Sequence, residues 1–237
     1  MRMSEIIKHV VVMLENRSFD NVLGWLYEND TPDYFIPPGT SLRYEGLYKN
    51  ELEKYANPVT IKGLTQSILP IRGASRHIYK GALYWNSQTI DPGEELDHMT
   101  AQFFGPPPLS RYATMKGFAQ DYATKTGSTD ISQVQQVMET YTQDQLPILN
   151  GLAKKYAVSD FWFASVPTQT NPNRAFMACG TSLNQVNNEG YWAYGNFDTD
   201  TVWNRLQGIG ASWKIFWQET YVPVKDDIDP FAKKWQR

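Results

Sequence analysis

Cysteine is nearly absent from this chain. Cys179 stands alone among 237 residues, so no internal disulfide can staple the fold. Long apolar runs are missing as well. No stretch approaches the roughly 18 consecutive apolar residues of a membrane-spanning helix. The amino terminus, MRMSEIIKHVVVMLEN, has its apolar run broken by Lys8 and His9, and no small-residue cleavage site follows, so it does not read as a signal peptide. As written, the chain is expected to be cytoplasmic, or secreted or periplasmic if a signal lies upstream. An excess of one charge is also lacking. Twenty-two Lys and Arg face 25 Asp and Glu, the net charge is −3, and no basic run occurs. This excludes the electrostatic footprint of a nucleic-acid-binding protein. No internal repeat is visible.

What is present is globular. Hydrophobic residues make up 41% and charged residues 20%, which sets the chain apart from disordered and fibrous classes. The length suits one large α/β domain or two small ones. Eight Trp and 14 Tyr fit either aromatic-lined clefts or an aromatic core with surface patches.

IIKHVVVMLE (6–15) is β-branched and nearly continuously apolar, the pattern of a strand buried on both faces of a parallel sheet. His9 interrupts it and reads as structural. SFDNVLGWLY (18–27) spaces Phe19, Val22, Leu23 and Leu26 as a helix does, with Ser18 as its N-cap. Residues 30–110 differ: TPDYFIPPGTSLRYEGL and FFGPPPLSRY are rich in Pro and Gly and predict ordered excursions with short strands, including a hairpin in YKNELEKYANPVTIKG. DISQVQQVMETYTQDQLPILNGLAKKYA then predicts two amphipathic helices. Pro147 either breaks them or opens the second. VSDFWFASVP (158–167) predicts a second strand, NPNRAFMACGTS a helix entered through Pro172, and VWNRLQGIGASWKIFWQE a helix ended by Gly208 or Gly210 and followed by a third strand, SWKIFWQ. Strands alternating with helices imply an α/β fold with a doubly wound, mostly parallel sheet and helices on both faces.

Ligands of such sheets bind at the carboxyl ends of the strands. Glu15 and Asn16 fall there, and their oxygens suit a hard divalent cation. Equally, Glu15 can serve as the acidic opening of a helix. In SVPTQTNPNRAF (165–176), Thr170 sits at or just before a helix N-terminus, where free N–H groups favour an anion. Its hydroxyl could attack phosphorus if a metal lowered its pKa, and Arg174 could stabilise a transferring phosphoryl group. An ordinary N-cap and a surface ion pair are the competing readings.

These stretches resemble a known family. VVVMLENRSFDNVLGWL is similar to the opening motif of the bacterial and plant phosphoesterases that include non-specific phospholipases C and a group of acid phosphatases. FASVPTQTNPNRAFMACGTS is similar to their nucleophile segment, and MKGFAQDY and GASWKIFWQE match further family segments. The likeness runs from about residue 6 to about residue 220 and implies an alkaline phosphatase-like sheet in a single domain with a loop-rich insertion at about 30–110. It implies Glu15 and Asn16 as ligands of a divalent metal ion, Thr170 as a nucleophile forming a covalent phospho-enzyme, and Asn173 as a substrate-binding amide beside Arg174. Thr170 also opens a pattern similar to the sulfatase Cys/Ser-x-Pro-x-Arg. Threonine cannot become the formylglycine of a sulfatase, so phosphate esters are favoured.

The loop IDPGEELDHMTAQFFG (90–105) departs from the family, where many relatives carry a phosphoryl-binding histidine after DPG. Glu94 stands there instead and would repel an anion unless protonated or metal-bound. His98 is the candidate that compensates, and both are placed at the substrate-binding rim. His77 reads as a surface or core residue. The resemblance further implies a C-terminal half with adjacent acidic ligands, in a segment like TYDEHGG. Asp226, Asp227 and Asp229 follow no apolar strand and read as a loop, so the chain is expected to be truncated and impaired by itself. The expectations are therefore a metal-dependent phosphoesterase acting on a phosphate-ester or phospholipid substrate, a non-catalytic or partner-dependent half with a complementary C-terminal chain, or a phosphate- or headgroup-binding module.

Overall fold

The structure, a computed structural model, describes residues 8–36, 43–74, 91–106, 108–188 and 199–216. The sequence expectations for His77 and for Asp226, Asp227 and Asp229 lie outside these residues. The chain divides into two units, 1–163 and 164–237.

In the first unit, α1 (Phe19–Leu23) begins as its sequence predicts: Ser18 Oγ accepts the Asn21 N–H at 3.3 Å. A hairpin forms, but later in the chain than expected: β1 (Asn57–Ile61) pairs with β2 (Leu64–Ile68), antiparallel with Ile61 opposite Leu64, whereas the 48–63 stretch holds only the first of these strands and a 3-10 turn at Leu52–Tyr55. The hairpin's two-residue loop has positive φ at both Lys62 (51°) and Gly63 (79°), the primed turn that matches the twist of paired strands. Val59 and Ile68 turn inward onto α3 (Phe118–Thr126) and α4 (Ile131–Gln135), forming a core with Ala119, Tyr122, Ala123 and Val134. Between them in sequence lies α2 (Leu96–Phe104). A second core joins α1 to α5 (Pro147–Lys155) through Leu23, Leu26, Tyr27, Tyr44 and Ala153. Pro147 opens α5 at its first turn, where its missing N–H costs nothing.

A third tie gathers distant chain. β3 (Ile71–Arg72) pairs in parallel with β4 (Glu139–Thr140). Buried Trp25 donates its indole N–H to Thr140 Oγ1 at 2.7 Å, and that hydroxyl donates to the Ile71 carbonyl at 2.8 Å. Arg72 grips the buried Glu28 carboxylate with two nitrogens.

The second unit contains α6 (Thr170–Cys179) and α7 (Val202–Gly208), which touch each other. Thr201 caps α7 in a reciprocal arrangement with Asn204.

The expected doubly wound sheet is not found among the described residues, whose sheets are the hairpin and the two-residue parallel pair. Residues 8–15, 158–167 and 211–216 have no strand partner there. Val10, Val11, Val12, Met13 and Leu14 are exposed, as are Phe161, Trp162, Phe163 and Phe216. His9 is exposed too, not structural in a strand. The sequence pattern reported apolar, β-prone chain, but a strand exists only with lateral hydrogen-bond partners, and apolar periodicity does not reveal where those lie. Among the described residues no helix is long and apolar enough to cross a membrane.

Candidate active site

Glu15 and Asn16 end the exposed extended run. Asn16 has φ 64°, the left-handed region that asparagine tolerates better than most side chains. This turn redirects the chain into α1 and leaves two oxygen-bearing side chains at the surface. Close behind, Asp20 is largely buried in the first turn of α1. Burial, with the Glu45 charge second, pushes its pKa up to about 6.

The second group of polar side chains depends on how closely α2 and α3 approach. Gly117 precedes α3, and a Cβ there would stand 1.9 Å from the Ala101 carbonyl oxygen, so only glycine permits the contact. Asn57 of β1 fixes the same helix end, its Oδ1 accepting the Phe118 N–H at 2.8 Å. The two helices thereby set His98 of α2 against Asp121 of α3, Nδ1 to Oδ1 at 2.7 Å. The other carboxylate oxygen accepts from Gln102 Nε2 at 2.8 Å, and the same amide donates to the Gly93 carbonyl at 2.7 Å. Asp121 and Gln102 are buried, whereas 26% of the His98 side chain reaches solvent.

Glu94 follows Gly93 in the Asp91–Glu95 turn that leads into α2. Its carboxyl is held above the usual range first by partial burial, then by Glu95, Asp91 and Glu15, with Lys125 opposing. Glu15 thus lies within electrostatic reach of the Asp91–Glu95 turn. Glu95 goes the other way. Backbone N–H donors and Lys125, 3.8 Å away, hold it low.

In the second unit Thr170 is the first residue of α6 and Pro172 the third, rather than the first as its sequence suggests. The proline remains within the opening turn, where its lack of an N–H is harmless. Arg174 follows Thr170 by four residues, which places them on one helix face. Asn173 is occupied with the preceding loop. Its Nδ2 lies 3.0 Å from the carbonyl oxygens of Val166 and Thr168 and 3.1 Å from that of Gln169, and its Oδ1 accepts the Val166 N–H. Asn188 secures the same turn, accepting from the Asn171 N–H and donating its own N–H to Gln169 Oε1.

The predicted site residues therefore form two sets, Glu15, Asn16, Glu94 and His98 in one unit and Thr170, Asn173 and Arg174 in the other. Sequence reasoning missed Asp121 and Gln102. The available signal was an ionisable residue amid Ala119, Tyr122 and Ala123, the buried positions of α3.

Comparisons with known proteins show which family the chain belongs to. The phosphoesterase family model matches residues 7–236, and the chain belongs to that family. It is 32% identical over 222 residues to non-specific phospholipase C5 of Arabidopsis thaliana, covering 90% of this chain and 37% of that protein. It is 29% identical to non-specific phospholipase C1 over 88% of this chain and 34% of the relative, and 31% identical to non-specific phospholipase C3 over 90% and 36%, both of the same plant. The chain thus spans about a third of the length of these curated relatives.

Glu15 and Asn16 offer two donors to a hard cation that takes about six oxygens. Among the described residues, no three His, Cys, Asp or Glu side chains gather as a metal site. These residues by themselves do not fit a complete metal centre.

Proposed function

We propose that this chain carries the nucleophile of a metal-dependent phosphoesterase acting on a phosphomonoester or on the phosphodiester of a phospholipid head group. The observation that carries the reading is Thr170 at the opening of α6, on a loop held by Asn173 and with Arg174 one turn onward. Thr170 Oγ attacks phosphorus in line. The new P–O bond forms as the bond to the leaving alcohol breaks, the threonine proton passes to water and the leaving oxygen gains one. Water then displaces Thr170, which recovers its proton, and phosphate or a phosphoryl alcohol departs. Arg174 neutralises charge on the non-bridging oxygens. His98 contacts a phosphoryl oxygen, with Glu94 at the same rim. Asn173 serves by holding the nucleophile loop.

A divalent ion is part of the proposal, with Glu15 and Asn16 as two of its ligands and the others from further polypeptide. The doubly wound sheet belongs to that larger assembly: three extended apolar segments with no strand partner among the described residues support it, being suited to pairing with strands supplied elsewhere. The 237-residue chain by itself should then turn over little or no substrate.

The test is hydrolysis of an aryl phosphate and of phosphatidylcholine vesicles with added divalent ions. The chain is assayed alone and fused to the C-terminal region of a phospholipase C relative. Turnover only in the fusion, abolished by Thr170→Ala, supports the reading. Turnover by the chain alone that Thr170→Ala abolishes would overturn the need for further polypeptide. An active fusion indifferent to Thr170→Ala would overturn the nucleophile.

A further inference from the structure

We propose that Asp121 is a positioning residue: it fixes the proton of His98 on Nδ1, so that Nε2 is the atom that exchanges a proton with a phosphoryl oxygen. The inference rests on the proposed contact between His98 and the phosphoryl group and adds the device that orients it.

Three observations converge on the pair. The His98 Nδ1 to Asp121 Oδ1 distance is 2.7 Å, the length of a charge-assisted hydrogen bond. A carboxylate accepts only, so the shared hydrogen belongs to Nδ1, and in the neutral ring Nε2 carries the lone pair. Second, Asp121 cannot turn away. Its Oδ2 accepts from buried Gln102, whose amide also holds the Gly93 carbonyl, tying carboxylate, α2 and the Asp91–Glu95 turn together. Third, that turn packs directly on the imidazole. A Cβ on Gly93 would lie 2.2 Å from His98 Cγ and 2.5 Å from Nδ1, which restricts the ring from the other side. Orientation is thus set on two sides, while a quarter of the side chain stays open to solvent. Among the described residues the ring makes its hydrogen bond through Nδ1, and Nε2 is left for a ligand.

The charged groups near the ring are Asp121 and Glu95, with Lys125 close to Glu95 and Glu94 and Asp91 on the same turn. Carboxylates predominate. Rim charges in contact with solvent are screened over about 8–10 Å at ordinary ionic strength, whereas a hydrogen bond from Nε2 is made at contact. A fixed tautomer therefore lets one mobile proton be shared between Nε2 and a phosphoryl oxygen: a protonated ring donates to P–O⁻, and a neutral ring accepts from P–OH.

The experiment is tautomer-sensitive nitrogen–proton correlation spectroscopy of the full chain, with His98 assigned by His98→Gln, titrated with inorganic phosphate. In the wild-type protein the neutral ring should be the Nδ1–H tautomer, and phosphate should shift Nε2 more than Nδ1. Asp121→Ala should return the ring to the mixed tautomers of an unconstrained imidazole and weaken the phosphate response roughly tenfold, with Asp121→Glu partly restoring both. An Nε2–H tautomer in the wild-type protein overturns the assignment without any variant having to fold. The expected tautomer with no response to phosphate would refute the phosphoryl contact while leaving Thr170 untouched, so the two readings fail separately.

Discussion

Asn173 and Val166 are joined in both directions: the Val166 N–H donates to Asn173 Oδ1 at 3.2 Å, and Asn173 Nδ2 donates to the Val166 carbonyl at 3.0 Å. The same amide reaches the carbonyls of Thr168 and Gln169, so one side chain shapes the loop that delivers Thr170. Asn173→Ala removes these partners together. Water can replace some of them in a loop that is only partly buried, so the expected loss is about 1–3 kcal/mol. Asn173→Asp should be worse, because it turns a carboxylate toward three carbonyl oxygens. Chemical denaturation gives the stability, and limited proteolysis across 164–170 reports whether the loop has come loose. Wild-type protection in both variants would show that the loop is held by other means.

Asp20 makes stability depend on pH in a stated direction. Its pKa is pushed from 3.8 up to about 6 by burial first and by Glu45 second. A carboxyl whose folded pKa exceeds its unfolded value contributes fully below the unfolded value and loses that contribution as pH rises through the folded one. Stability from this group is therefore present below about pH 3.8 and is lost as pH climbs through about 6. Asp20→Asn stays neutral throughout. It should stabilise the protein at pH 8 by up to about 3 kcal/mol, from about 1.4 kcal/mol per pH unit, with the advantage fading toward pH 4. Denaturant midpoints at the two pH values decide it. An equal difference at both would remove Asp20 as the source.

The features legible in the sequence are those whose cause lies within a few residues. Ser18 before Phe19, Pro147 opening α5 and Gly210, of the two glycines expected to end α7, in the left-handed conformation just past it all follow from their own residues, because a cap or a missing N–H acts inside one turn. The β1–β2 hairpin is local in the same way, its turn needing only Lys62 and Gly63. Parallel pairing is different. Nothing in Ile71 or Thr140 announces that β3 and β4 meet, and nothing in Val10–Leu14 announces that the expected strand has no partner among the described residues. The site divides likewise. Glu15, Asn16 and Thr170 stand in contiguous motifs, whereas the Asp121–His98 contact joins residues 23 positions apart. Only the approach of α2 and α3 at Gly117 brings them together.

The exposed segments make the proposal of further polypeptide measurable without any enzyme assay. Val11 is 91% exposed and Trp162 75% exposed. A large apolar side chain in a packed core costs about 2–5 kcal/mol to lose, whereas a surface substitution changes stability by no more than about 0.5 kcal/mol. Val11→Lys and Trp162→Lys should therefore leave the denaturant midpoint of the chain alone nearly unchanged and reduce both its self-association and its binding of an apolar dye. In the active fusion the same substitutions should lower activity and stability together, because a lysine would then face strands that need an apolar neighbour. A large loss of stability in the chain alone would mean that these side chains are already packed, and the proposed pairing with added strands would fall. Unchanged stability in both proteins would leave the segments as surface in either setting and would rule out the larger sheet.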